Sequence, residues 1–248
     1  MHYVLSDIHG NSAAFDGILD MIKLQPNDHL YVLGDVVDRG PDGIELLQRI
    51  RRMENCELLL GNHEYMMINA MRNPDNYRLF RLWWMNGCEN TYQGFLALSK
   101  SEQEELLKFL EGLPLQTEIE VNGTRYILVH AAPVQLFPTE GEDYPDERKF
   151  AVWHRLPMTK PEGLGGKTLI FGHTPTEYMQ FSEFPMMRIA HGDGVIDIDC
   201  GYAYPTSGGQ LGCLRLEDGM EFYSKEGKVT RAEAAAWRAE QMEAQKGI

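Results

Sequence analysis

The sequence predicts one α/β domain spanning residues 1–248, with its first half built on a parallel, largely buried sheet. Three observations predict it. Short apolar runs alternate with helical periodicity over the first 65 residues, the pattern of repeated strand–helix–strand units. Polar clusters stand at the ends of those runs at equal intervals, with 28 residues from Asp7 to Asp35 and 28 from Asp35 to His63. The chain is 43% apolar over 248 residues, so it can bury a large core and is neither disordered nor a disulfide-stapled mini-protein.

Taken in order, Tyr3-Val4-Leu5 is the first strand, and Phe15, Ile18, Leu19 and Ile22 recur at helical spacing between about Ser12 and Leu24. Leu30–Leu33 is the second strand. Pro41 opens a helix carrying Ile44, Leu47 and Ile50, because a fixed φ and a missing N–H are tolerated in a first turn. Cys56–Leu60 is the third strand, followed by a helix from about Glu64 to Met71. Residues 75–112 read as all-helical, with Trp83, Trp84, Phe95, Leu106 and Leu107 as packing residues. Leu115–Val121 and Thr124–Val129 flank Asn122-Gly123, a dipeptide that accepts the positive φ of a type I′ turn, which predicts a hairpin. Strands are expected at Thr168–Phe171, Val195–Ile198, Leu211–Leu216 and Met220–Tyr223, and residues 138–148 form an acidic, exposed loop. A C-terminal helix at about 230–246 opens on Thr230 and Glu233 at capping-box spacing and docks through Trp237.

A formal charge of −14 excludes functions that rest on broad contact with nucleic-acid backbones or anionic membranes. Binding of a single phosphate group is a local matter that composition leaves open. Cys56, Cys88, Cys200 and Cys213 lie far apart with no CxxC spacing, so reduced thiols are expected. The start Met-His-Tyr-Val-Leu-Ser-Asp lacks the features of a signal peptide, and no run approaches the ~18 apolar residues of a membrane helix. A cytoplasmic setting is expected.

Residues that carry chemistry collect at five strand ends: Asp7-Ile8-His9-Gly10-Asn11, Gly34-Asp35-Val36-Val37-Asp38-Arg39-Gly40, Gly61-Asn62-His63-Glu64, Val129-His130-Ala131 and Gly172-His173-Thr174. A strand-plus-helix interval brings each cluster to the same sheet edge, outside the carboxyl ends of the strands, where open α/β sheets bind ligands. Helix capping accounts for Asp7 or Asn62 alone, but not for Asp, His and Asn at five strand ends together. Mixed carboxylate, imidazole and amide donors suit transition ions rather than calcium.

These motifs resemble the calcineurin-like metallophosphoesterases and, within them, the phosphoprotein phosphatases, in the compact form of bacterial and phage serine/threonine phosphatases. The resemblance implies an αββα sandwich, two mixed sheets flanked by helices. It implies that Asp7, His9 and Asp35 hold one divalent ion, and that Asp35 bridges to a second held by Asn62, His130 and His173. Manganese is the expected metal, with iron or zinc as alternatives. Arg39 and Arg155 would bind the phosphate oxygens, and His63, oriented by Asp38, would protonate the leaving alkoxide. Three departures stand out: Ser6 and Ala132 replace commoner glycines, and Cys200 replaces a commoner threonine, which suggests sensitivity to oxidants.

The function so implied is hydrolysis of phosphoserine and phosphothreonine, and also phosphotyrosine, in proteins by direct attack of a metal-activated water. The partner is then a phosphorylated protein or peptide, with no nucleic acid and no membrane. A dinucleoside polyphosphate hydrolase is the alternative on the same core, although its third motif usually ends in Asp where this chain has Glu64. A non-catalytic phosphate-binding scaffold is a third reading, and it predicts a missing ligand.

Overall fold

Strand β1 (His2–Leu5) serves two layers at once, because successive side chains on a strand point to opposite faces. In the computed structural model, which describes residues 1–138, 144–159, 163–179, 187–203, 208–234 and 236, Tyr3 and Leu5 pack under helices while Val4 faces a second sheet. Parallel partners β2 (His29–Val32) and β3 (Cys56–Leu58) extend β1 on one side. Antiparallel β9 (Gly212–Arg215), β10 (Glu221–Tyr223) and β11 (Gly227–Val229) extend it on the other. The result is a mixed sheet in the order β11-β10-β9-β1-β2-β3.

The second sheet is also mixed. Its hairpin of β4 (Gln116–Val121) and β5 (Thr124–Val129) turns on Asn122 at φ 50° and Gly123 at φ 80°, as the dipeptide predicts. Parallel strands β6 (Thr168–Phe171) and β8 (Val195–Asp197) follow, with β7 (Ala190–His191) antiparallel at the edge, giving β4-β5-β6-β8-β7. Val4, Tyr31 and Leu33 meet Leu128, Ile170 and Ile198 between the sheets.

Helices α1 (Ser12–Ile22), α2 (Gly43–Arg51), α3 (Asn62–Arg72), α4 (Tyr77–Met85), α5 (Glu89–Ala97) and α6 (Lys100–Glu111) precede the hairpin, and α7 (Glu147–Trp153) follows it. Phe15, Ile18, Leu46, Leu47 and Trp83 cover the outer face of the first sheet, and Phe150 covers Ile127, Val129 and Phe171 on the second. This is the four-layer sandwich that the resemblance implies.

Several details differ from the sequence reading. Pro41 lies just outside α2, whose N-cap is Asp42. Trp84 is 47% exposed although Trp83 is fully buried, because adjacent helical positions point about 100° apart. The acidic stretch 138–148 runs into α7, whose N-cap Asp146 accepts the Lys149 N–H through its side chain, and residues 139–143 lie outside the described residues. At the C-terminus the Thr230–Glu233 capping box forms, with Thr230 N–H to Glu233 Oε2 at 2.8 Å and Glu233 N–H to Thr230 Oγ1 at 3.2 Å. Residues 231–234 are helical, and Trp237 with the remainder of the expected helix lies outside the described residues.

Candidate metal centre

The carboxyl ends of β1, β2, β3, β5 and β6 meet at one edge of the sandwich, each continuing into a short loop. The loops bond to one another before any side chain is considered: Asp7 N–H to Gly34 O at 3.2 Å, His9 N–H to Asp35 O at 2.9 Å and Gly172 N–H to His130 O at 2.8 Å. Close approach demands glycine at two points. A Cβ on Gly61 would lie 2.3 Å from Asp35 N, and one on Gly172 would lie 2.5 Å from Asp7 Oδ2.

The backbone here is strained. Asp7, His9, Asp35, Asp38, Arg39 and His173 all have positive φ, and they are six of the eight such non-glycine residues among those described. Each costs about 1–3 kcal/mol and persists only where its surroundings over-determine it, and such positions concentrate at functional sites.

A continuous set of contacts centred on Asp35 links all six expected metal ligands. Asp35 Oδ1 lies 3.5 Å from His130 Nε2, and Asp35 Oδ2 lies 3.9 Å from His9 Nε2. His9 Nε2 is 3.9 Å from Asp7 Oδ1, and Asp7 Oδ2 accepts the His173 N–H at 3.1 Å. Asn62 Oδ1 lies 2.9 Å from His130 Nε2 and 2.8 Å from His173 Nδ1. All six residues are buried. Among the described residues two groups of side chains lie close enough to hold an ion, His9–Asp35–His63 and Asp35–His130–His173, and Asp35 belongs to both.

The donor set fits divalent cations on its own hydrogen bonding. His130 Nδ1 donates to Leu33 O at 2.7 Å, so in the neutral ring Nε2 turns a lone pair toward Asn62 Oδ1 at 2.9 Å. Two acceptors facing each other at that distance call for a cation beside them. His9 Nδ1 likewise donates to Val37 O at 3.2 Å, which leaves its Nε2 lone pair toward Asp7 and Asp35. Backbone carbonyls thus fix the tautomers, as outer partners commonly do for ligating histidines. Burial, then the His63 and Arg39 charges, hold His9 well below the usual histidine range, in the neutral form a metal requires.

Beside these groups His63 Nδ1 lies 2.7 Å from Asp38 Oδ2, which also accepts the Trp83 Nε1–H at 2.8 Å. Burial pushes Asp38 up to about 7, against the pull of Thr91, Trp83 and Arg39. Arg39 reaches over both rings, 3.0 Å from His9 Nε2 and 3.1 Å from His63 Nε2. Arg155, exposed just after α7, is less closely placed; its charge acts on His173, Asp197 and Asp199.

Sequence reasoning passed over four buried residues here. Asp197 and Asp199 extend the site beyond β8, and burial raises both carboxyls well above the usual range, helped by Asp199 and Asp7 respectively. Trp83 was assigned only to packing, and Glu64 only to a motif. Cys200 runs against the expected oxidant sensitivity: it is 2% exposed, and burial followed by the Asp199 and Asp197 charges raises its thiol well above the ordinary value, which leaves little reactive thiolate.

The buried carboxyls give a pH dependence. A carboxyl whose pKa is higher folded than unfolded stabilises the fold at low pH, and that contribution is lost as pH climbs through the folded value. Asp35, Asp38, Asp197 and Asp199 are all of this kind. His9, His63 and His173, lowered by burial, oppose them only below about pH 6.5, where the unfolded chain takes up protons. In chelator the melting temperature should therefore fall as pH rises above about 7, where Asp38 loses its proton. A metal-free melting temperature that rises over this range contradicts the assignment.

Known proteins resemble the chain in sequence and fold. The family model described as calcineurin-like phosphoesterase matches residues 3–198. The symmetrical bis(5'-nucleosyl)-tetraphosphatase of Paracidovorax citrulli is 33% identical over 134 residues, covering 52% of this chain and 43% of its own length. Serine/threonine-protein phosphatase 1 of Salmonella typhimurium is 27% identical over 223 residues, covering 87% of this chain and 91% of its own. The chain spans about half the length of the curated relatives that head the comparison, between 38% and 55% of each. Among solved structures, the cold-active protein-tyrosine phosphatase of a psychrophilic Shewanella species has the same fold, with a TM-score of 0.57 at 16% identity over 92% of this chain and 79% of that one. Among the described residues no helix is long and apolar enough to cross a membrane. The family model covers most of the sandwich and every cluster at its edge, and the chain belongs to the calcineurin-like phosphoesterases.

Proposed function

We propose that the chain is a metal-dependent phosphomonoesterase acting on phosphoserine and phosphothreonine in proteins, and also on phosphotyrosine. The observation that carries this reading is the buried pair His63–Asp38 at 2.7 Å with Arg39 3.1 Å from the other ring nitrogen. An unactivated alkoxide needs a proton in order to leave, and an imidazole held by a carboxylate is suited to give it.

Asp7, His9 and Asp35 hold one ion in this reading, and Asp35, Asn62, His130 and His173 the second. Bound there, two divalent ions, of which manganese is the one proposed, polarise a phosphoryl group and lower the pKa of a water. The chain's own residues do the rest. His9 Nε2 has one lone pair and could not serve a metal and Arg39 together, so in the loaded site Arg39 Nη1 would turn from His9 toward the phosphate oxygens. Arg155 binds the same group from the α7 side. Burial, then the Arg39 and His130 charges, keeps His63 neutral while the site lacks phosphate. A phosphate dianion beside Nε2 favours the charged ring, so His63 takes a proton from solvent there while Asp38 keeps Nδ1–H in place. Water attacks phosphorus in line, the ester P–O bond breaks, and the Nε2 proton passes to the departing oxygen. Alcohol and inorganic phosphate are the products, with no phosphorylated residue between.

The face of α4 supports a polypeptide substrate. Its inner side delivers Trp83 to Asp38, and Gly87 just beyond it accepts the Arg39 N–H at 2.8 Å. Its outer side exposes Tyr77, Arg78, Arg81, Trp84 and Met85, an apolar and basic surface on a chain of charge −14. Trp84→Ala is expected to raise KM for a phosphopeptide severalfold, as an exposed aromatic anchor does when truncated, and to leave p-nitrophenyl phosphate unaffected. Equal KM changes on both would detach α4 from substrate binding.

A second reading stays in play because several relatives, including those of Paracidovorax citrulli and Erwinia tasmaniensis, are named symmetrical bis(5'-nucleosyl)-tetraphosphatases. Rates on phosphoserine, phosphothreonine and phosphotyrosine peptides and on diadenosine tetraphosphate, in manganese, magnesium, zinc and iron, separate the two. The monoesters should lead. A dinucleotide preference of several orders of magnitude would overturn the choice.

A further inference from the structure

One buried carboxylate has bonds that neither metal ligation nor proton transfer accounts for. Glu64 is completely buried in the first turn of α3, and both its oxygens are committed to backbone amides. Oε2 accepts the N–H of Asp35 at 2.9 Å and of Gly61 at 3.1 Å. Oε1 accepts the N–H of Val36 at 2.8 Å and of Val37 at 3.2 Å. The Gly61 bond is the half of a capping box that a glutamate at N3 supplies, Gly61 having no side chain to complete it. The other three belong to a different loop, the one that leaves β2.

These two loops carry the centre of the site. The first holds Asp35, Asp38 and Arg39; the second leads into Asn62 and His63, which open α3. Asp35 is at φ 53°, a conformation unfavourable for a residue with a side chain, and it persists only where neighbours fix it. Glu64 supplies three consecutive bonds at that point. Asp35 Oδ1 in turn accepts the His63 N–H at 2.9 Å, so the two loops are tied in both directions.

We propose that Glu64 is a positioning residue that pre-forms the two-ion site by locking the Asp35 loop onto the Asn62–His63 loop before any ion binds. The proposal rests on reading the site as a metal centre and is independent of the substrate. A carboxylate suits the task because it offers lone pairs on both oxygens and no proton, and so receives two pairs of N–H groups. Glutamine would present an NH₂ to one of those pairs, donor against donor. Aspartate keeps the charge but has one methylene less, and cannot reach both pairs.

The test is manganese binding to the purified full chain, measured calorimetrically and referred to the folded fraction from circular dichroism. Wild type should take up two ions. Glu64→Gln should bind them about 10–100-fold more weakly, the range typical for loss of a group that orients metal ligands, with Glu64→Asp between the two. A folded Glu64→Gln protein with wild-type affinity overturns the proposal and leaves the metal centre standing; wild type that binds no ion overturns both. The wild-type protein supplies a second measurement should the Gln variant not fold. In chelator, the amides of Asp35, Val36, Val37 and Gly61 should exchange with solvent far more slowly than the exposed turn amide of Gly123. Exchange as fast as Gly123 at all four would show that nothing pre-forms the loops.

Discussion

Replacing Asp35 with asparagine should lower turnover of a phosphate monoester at saturating manganese by about 10³ or more, since metal clamping supplies several kcal/mol and each ~1.4 kcal/mol is tenfold in rate. Asp35 is the residue common to both groups able to hold an ion. Its Oδ1 faces His130 at 3.5 Å, and its Oδ2 faces His9 at 3.9 Å and His63 at 3.8 Å. Asparagine removes the charge and turns one oxygen into a donor aimed at ring nitrogens. Metal content should drop together with rate. Near-wild-type turnover by this variant would remove Asp35 from its shared place and the two-ion reading with it.

His63→Ala separates proton donation from phosphate binding. For a phosphoserine peptide kcat should fall by about 10²–10⁴, the usual contribution of a positioned acid. For p-nitrophenyl phosphate the loss should be far smaller, because nitrophenolate leaves without a proton. Equal losses on both substrates would mean that His63 acts through the metal centre, which its 3.8 Å approach to Asp35 makes a real competitor. Steady-state rates on the two esters decide the matter.

Much of this was legible in residue order. Tyr3-Val4-Leu5, Leu30–Leu33 and, apart from Glu57, Cys56–Leu60 are apolar where a buried parallel strand must be, and each is followed by a helix. The side chains that then leave the sheet are Asp, His and Asn. Because strand and helix together consume a fixed number of residues, the clusters fell at equal intervals, and their meeting at one edge could be inferred. What could not be read depends on contacts between distant segments. Glu64 looks like a helix-start glutamate, and three of its four bonds go to residues 35–37, some 28 positions earlier. Asp197 and Asp199 read as the polar end of a strand until burial beside Asp7 is known.

Local signals were weaker in two other places. Helix α7 has seven residues and follows an acidic stretch, too short for periodicity to rise above its surroundings. Trp83 and Trp84 are chemically identical, and which one is buried depends on where the axis of α4 lies. Phe80 does not separate them, since its ring centroid lies 6.4 Å from that of Trp83 and 5.9 Å from that of Trp84. Five of the six site residues with positive φ are Asp or His, types enriched there, but residue order does not say which of them adopt it, since the assembled loops impose the strain.

The central claim is that Asp7, His9, Asp35, Asn62, His130 and His173 form a two-ion centre that hydrolyses phosphate monoesters. Its most direct test counts bound manganese per chain while following p-nitrophenyl phosphate hydrolysis in the same titration of chelator-stripped protein. Turnover should be absent without metal and should rise as two ions per chain bind. Full turnover by the ion-free protein, or two bound ions with no hydrolysis of any phosphate ester, would contradict it.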